Sequence, residues 1–88
     1  MQGGVYVSAY VTFVNKSVYP AVSVYSDGFL IDDLVLKNTP SKEYAVESGT
    51  VGFSVRENRN KEFLNLWLSL YPMRSYKLII KNHSAYLK

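Results

Sequence analysis

The chain has 88 residues, 48% of them apolar, 15% aromatic and 19% charged. That is enough for one domain with a core and too short for two, and it is far from the polar, charge-rich signature of disorder. There are no cysteines, which excludes disulfide staples, thiolate metal sites and cysteine nucleophiles. The formal charge of +3 is uneven: residues 1–55 carry three cations and five anions, a net −2, and residues 56–88 carry seven cations and two anions, a net +5.

The dominant period is two, the signature of strands that bury one face. From Val5 to Val14, Val5, Val7, Ala9, Val11 and Phe13 fall on one side, with Tyr6, Ser8, Tyr10 and Thr12 on the other. This predicts a long first strand. Pro20 interrupts, fixes the start of a second strand and offers protection for an edge. That strand covers residues 21–26, with Val22 and Val24 inward. Ser26-Asp27-Gly28 is hairpin chemistry, because Asp-Gly supplies the positive φ values of a tight turn. Residues 29–36 return as a third strand, with Asp32-Asp33 marking a bulge or an edge.

A loop over residues 38–41 leads to a short strand around Tyr44 and Val46, ended by Ser48-Gly49, where a positive φ is expected again. Residues 50–57 alternate with Val51, Phe53 and Val55 inward, and Asn58-Arg59-Asn60 forms a polar turn. Residues 61–71 admit two readings. Leu64, Leu66, Leu68 and Leu70 alternate strictly and argue strand, while Phe63, Trp67, Leu70 and Tyr71 also stand at helical spacing. Strand is preferred because both neighbours are strands joined by short turns. Residues 75–82 form the last strong strand, and residues 83–88 either fray or add a short edge pairing. The sum is one all-β domain over residues 1–88, an immunoglobulin-like antiparallel β-sandwich of about seven strands, with an open barrel as the nearest rival.

Val11, Asn15, Ser17, Pro20, Val22, Val24, Tyr25 and Gly28 stand in order at fixed gaps, followed by Tyr44, Val46, Gly49, Thr50, Phe53 and Val55. This arrangement over residues 11–56 resembles the bacterial domain-of-unknown-function family four-three-nine-seven. The resemblance implies an immunoglobulin-like β-sandwich of envelope or exported proteins, often in tandem copies, with no catalytic residues to transfer. The chain departs from that family in being a single copy and in carrying Pro72-Met73-Arg74-Ser75 where the family tends to use glycine. Its first residues, Met1-Gln2-Gly3-Gly4, lack the basic and apolar regions of a signal peptide. The expectation is cytoplasmic synthesis, with deposition at a surface or spore layer left open. Tyr25 and Tyr44 are expected at the core or its rim, their hydroxyls reaching backbone groups.

Catalytic chemistry is hard to assemble. His83 is the one histidine, so a histidine-based metal site or a Ser-His-Asp triad has little to work with. Asp32 and Asp33 point to opposite faces of a strand, and with Asp27 they lack the regular oxygen spacing of a calcium loop. No glycine loop fit for phosphate precedes a helix. No enzyme, cofactor or metal is expected. Asn15-Lys16-Ser17 and Asn82-His83-Ser84 are formal glycosylation sequons, relevant only in a eukaryotic secretory pathway.

The unusual feature is aromatic: eight tyrosines and one tryptophan. If the four leucines of residues 64–70 face inward, Phe63, Trp67 and Tyr71 face outward, as Tyr6 and Tyr10 do on the first strand. Together they are the candidate partner surface, and Pro20, Gly28 and Gly49 the structural turns. The expected function is a non-catalytic structural or self-assembly module of an envelope or spore-type layer, associating through aromatic faces and strand edges with copies of itself or with other layer proteins. The uneven charge further favours head-to-tail contacts able to propagate as filaments. The alternatives are a module for glycan or peptide and, supported by a pI near 9.2, a small nucleic-acid binder. The cations are spread singly, which argues against the last.

Overall fold

The computed structural model describes residues 7–88, and every one of its regular elements is a strand. Eight strands follow one another: β1 (Ser8–Asn15), β2 (Ala21–Ser26), β3 (Phe29–Leu36), β4 (Glu43–Glu47), β5 (Gly49–Glu57), β6 (Lys61–Leu70), β7 (Ser75–Ile80) and β8 (Ala85–Leu87). They form two four-stranded sheets, ordered β4-β1-β7-β8 and β3-β2-β5-β6. The expected all-β sandwich is therefore what the chain adopts, with eight strands rather than about seven. The extra strand is β8, whose Leu87, Tyr86 and Ala85 pair with Leu78, Ile79 and Ile80. The contested segment at residues 61–71 is strand.

The alternation read from the sequence sets the core. Ala9, Val11 and Phe13 of β1, Val22 and Val24 of β2, Val51, Phe53 and Val55 of β5, and Leu78 and Ile80 of β7 are buried between the sheets. Phe13 and Phe53 meet edge to face across that gap, 6.2 Å between centroids, a favoured aromatic geometry. Burying each such side chain contributes about 1.5–3 kcal/mol. Val7 departs from the expectation. It precedes β1 and is exposed, while Val5 and Tyr6 lie outside the described residues.

All strand pairs are antiparallel except β1 and β7, which run parallel from Tyr10 opposite Ser75 to Asn15 opposite Ile80. Periodicity cannot show this, because it reports which face is buried and not which strand lies alongside. The β2–β3 hairpin turns on Asp27 (φ 49°) and Gly28 (φ 86°), the two positive φ values of a type I′ turn. Gly49 has φ 98° where the chain leaves β4 in one sheet for β5 in the other. Pro20 does stand immediately before β2, but it guards no edge: β2 lies inside its sheet, between β3 and β5.

Asn15 explains the Asn-x-Ser sequence at the end of β1. Its side chain is wholly buried. The carboxamide nitrogen donates to the carbonyls of Tyr19 (3.0 Å) and Val35 (3.2 Å), and its oxygen accepts from the Ser17 backbone N–H (3.0 Å) and hydroxyl (2.6 Å). One residue thus ties β1 to the loop before β2 and to β3, and its amide is fully satisfied and closed to solvent.

Candidate functional site

Four strands end the two sheets, and their edges differ in kind. β4 has five residues and β8 three. β3 is longer but bulged twice against β2, between Val22 and Val24 and between Val24 and Tyr25. Its two acids, Asp32 and Asp33, sit at those irregularities. Asp32 accepts the Leu34 N–H (2.9 Å) and the Tyr44 hydroxyl (2.5 Å), so it clips β3 to β4 of the opposite sheet. Asp33 faces out to Arg59 at 3.6 Å. Bulges and charges are the devices that keep an edge from pairing with another chain.

β6 has neither protection over most of its length. It is the longest strand, ten residues, and ends its sheet. Its one irregularity lies between Val55 opposite Leu64 and Arg56 opposite Glu62, which leaves Phe63 as an extra residue. From there to Leu70 opposite Gly49 the register with β5 is unbroken. Residues 64–70, Leu-Asn-Leu-Trp-Leu-Ser-Leu, hold no charge, no proline and no glycine.

The bulge decides where the aromatics go. Phe63 is half-buried and packs on Tyr19, 4.7 Å between ring centroids. It does not share an open face with Trp67. Trp67 is 69% exposed and Tyr71 65% exposed, with the Arg74 guanidinium 5.4 Å from the Tyr71 ring. Tyr10 is half-buried on β1, in the other sheet. The expected single patch is therefore not assembled: Trp67 and Tyr71 stand at one edge, Phe63 is turned in, Tyr10 lies across the sandwich, and Tyr6 falls outside the described residues.

Trp67 itself is held in a defined pose. It sits opposite Gly52 on β5, and a Cβ at Gly52 would lie 3.1 and 3.3 Å from two atoms of the indole ring. A side chain there would push the ring back by a few tenths of an ångström. Asp27, at the tip of the β2–β3 hairpin, fixes the same place from the other side. Its N–H donates to the Gly52 carbonyl (2.9 Å), and its carboxylate accepts the Gly52 N–H (3.1 Å). Beside them runs an open groove of about 250 Å3, lined by Asp27, Gly52, Ser54, Arg56, Asn65 and Trp67 among others. The Arg56 guanidinium lies over the Tyr25 ring at 4.7 Å, and its Nε is buried with no acceptor among the described residues. Tyr25 thus supports an arginine on the outer face and is not a core aromatic. Sequence reading missed Gly52, Asp27 and Arg56 as neighbours of Trp67. The only signal available was the glycine inside an alternating strand.

Tyr44 behaves as expected at the core rim, with its ring 5.7 Å from Phe13, but its hydroxyl meets a carboxylate and not the backbone. Burial first, then the hydrogen bond to Asp32 and the charges of Asp32 and Asp33, pushes its phenol up to about 12. No cluster of three or more His, Cys, Asp or Glu that could hold a metal occurs among the described residues, nor does a helix long and apolar enough to cross a membrane. No family model matches the chain, and no curated protein matches it.

Proposed function

We propose that this domain is a non-catalytic assembly module that associates with copies of itself through the free edge of β6. The observation that carries the reading is the contrast between edges. β3 is bulged and acidic, β4 and β8 are short, and β6 presents seven uncharged residues in unbroken register with an exposed tryptophan at their centre. A long, regular, apolar edge is a template for strand addition. The proposal takes in the resemblance of residues 11–56 to a family of bacterial envelope sandwich domains, and with it a role in a surface or spore-type layer.

The test is molar mass by light scattering from micromolar to millimolar protein. Mass should rise with concentration, and a strict monomer at one millimolar would refute the reading. A second reading is favoured by one observation, the exposed indole resting against Gly52 beside a groove with amide, acid and guanidinium groups. That arrangement suits a neutral sugar ring better than a nucleic-acid strand, since Asp27 and Glu62 in its lining repel phosphate. Trp67 is the single tryptophan, so titrating its fluorescence with neutral oligosaccharides checks this directly. A signal unchanged at millimolar sugar excludes it.

A further inference from the structure

The free edge of β6 is self-complementary. Written about Trp67, residues 63–71 run Phe-Leu-Asn-Leu-Trp-Leu-Ser-Leu-Tyr. Leu66 mirrors Leu68, Asn65 mirrors Ser69, Leu64 mirrors Leu70, and the outermost pair is aromatic on both sides. An antiparallel pair of such strands related by a two-fold axis at Trp67 sets leucine against leucine on one face, with tryptophan against tryptophan and amide against hydroxyl on the other.

The backbone agrees with the side chains. The N–H and C=O of Gly52 are both engaged by Asp27, on the β2 side. Gly52 and Trp67 are therefore a non-hydrogen-bonded pair of the β5–β6 ladder, and the N–H and C=O of Trp67 point away from β5. Because the register from Leu64 to Leu70 is unbroken, the same holds for Asn65 and Ser69. These three residues carry the free hydrogen-bonding groups of the edge, and no described strand pairs with β6 on that side.

Resting on the reading of the domain as a self-associating module, we infer that its partner is a second copy of the same chain, joined β6 to β6 antiparallel about Trp67. Trp67 faces Trp67 of the second copy, and Asn65 faces Ser69 in both directions. Each of these pairs exchanges two hydrogen bonds, about six across the dyad. The two four-stranded sheets then become one of eight strands. Leu66 and Leu68, half-buried in the single chain, gain apolar neighbours on the inner face. On the outer face each indole lies against its own Gly52, toward β5 and away from the dyad. The two-fold arrangement closes after two copies, since each edge is consumed by the other.

The absence of cysteine makes the register directly readable. In this pairing Asn65 and Ser69 of different copies stand about 5.5 Å apart at Cα, within disulfide range, whereas two copies of Asn65 stand about 13 Å or more apart. Both side chains are exposed, so Asn65→Cys and Ser69→Cys are tolerated. An equimolar mixture of the two variants under mild oxidation should form disulfide-linked dimers, and neither variant alone should. The backbone donor that Ser69→Pro removes faces away from β5 and the fixed φ of proline is tolerated at a sheet edge, so the change should raise the dimer dissociation constant at least about tenfold. Cross-linking of Asn65→Cys with itself, or no cross-link in a mixture that light scattering shows to be dimeric, would overturn the register and leave self-association standing. A wild-type chain monomeric at one millimolar would overturn both.

Discussion

Replacing Asn15 with alanine tests the claim that one buried amide holds three segments together. The substitution deletes four hydrogen bonds at 2.6–3.2 Å: two to the carbonyls of Tyr19 and Val35 and two from Ser17. A typical bond contributes about 0.5–1.5 kcal/mol net, and a buried group left without a partner costs about 1–3 kcal/mol. The Val35 carbonyl and the Ser17 groups are enclosed, while Tyr19 is only half-buried and recovers part of its loss from water. The expected cost is about 3 kcal/mol. A domain of this size has a total stability of about 4–13 kcal/mol at the usual value per residue, so the variant should fold but with a much reduced margin. With a urea slope of about 1 kcal/mol per M, the midpoint should fall by about 3 M at unchanged slope. Asn15→Asp should be no milder at neutral pH, since a carboxylate offers no donor to the two carbonyls. A loss below about 1 kcal/mol for Asn15→Ala would refute the account, and the Asn-x-Ser sequence would then need another explanation.

Three further outcomes are expected. Gly52→Ala should displace the indole that lies 3.1 Å from the new methyl position, which a shift in the emission maximum of Trp67 reports; an unchanged spectrum would mean the ring does not rest there. Tyr44 holds its proton up to about 12 in the folded chain against an ordinary 10, so its contribution is complete below pH 10 and is lost as pH rises from 10 to 12. Tyr44→Phe should therefore start less stable at pH 9 and lose less between pH 10 and 12, as urea midpoints would show; parallel losses in the two chains would refute this. Leu68→Pro should unfold the sheet edge by removing a β5–β6 bond, whereas Ser69→Pro should leave the urea midpoint nearly unchanged; equal damage from both would invert the assignment of which β6 groups face solvent.

Much of this architecture can be read from alternation. Val11 and Phe13, Val22 and Val24, and Val51, Phe53 and Val55 declare which face of each strand is buried, and Asp27-Gly28 declares its turn. Pairing is less legible, because period two is the same whatever strand lies alongside. Hence the parallel β1–β7 contact and the interior place of β2 behind Pro20 come only from the structure, while for residues 83–88 alternation leaves fraying and a short edge pairing both open, and the pairing is what β8 makes. The candidate surface was legible in one part and misleading in another. Trp67 and Tyr71 are exposed because alternation holds through residues 64–70. Phe63 is not, because a single inserted residue at the bulge turns it toward Tyr19. A bulge of this kind has no composition of its own when no glycine marks it. Tyr10 has the right spacing but belongs to the other sheet, a fact that no local signal contains.

Whether the proposed assembly closes or propagates is answered differently by charge and by edge. Net charges of −2 on residues 1–55 and +5 on residues 56–88 would favour head-to-tail contacts, which continue without limit when the rotation does not close. Such contacts are screened beyond about 8 Å at physiological ionic strength. The β6 dyad is different in both respects. Residues 63–71 carry no charged side chain, so salt would have little to screen, and in the proposed pairing each edge meets its own copy, so growth would stop at two. Light scattering across a concentration series at about 20 mM and about 500 mM salt separates the cases. The mass should level off at about twice the 10.0 kDa chain, with midpoints that agree within about threefold between the two salts. A mass that climbs past the dimer, or a dimer that dissolves at high salt, would assign the assembly to charge and not to β6. The neutrality of the edge would then reflect a strand covered by something other than a second copy of this chain.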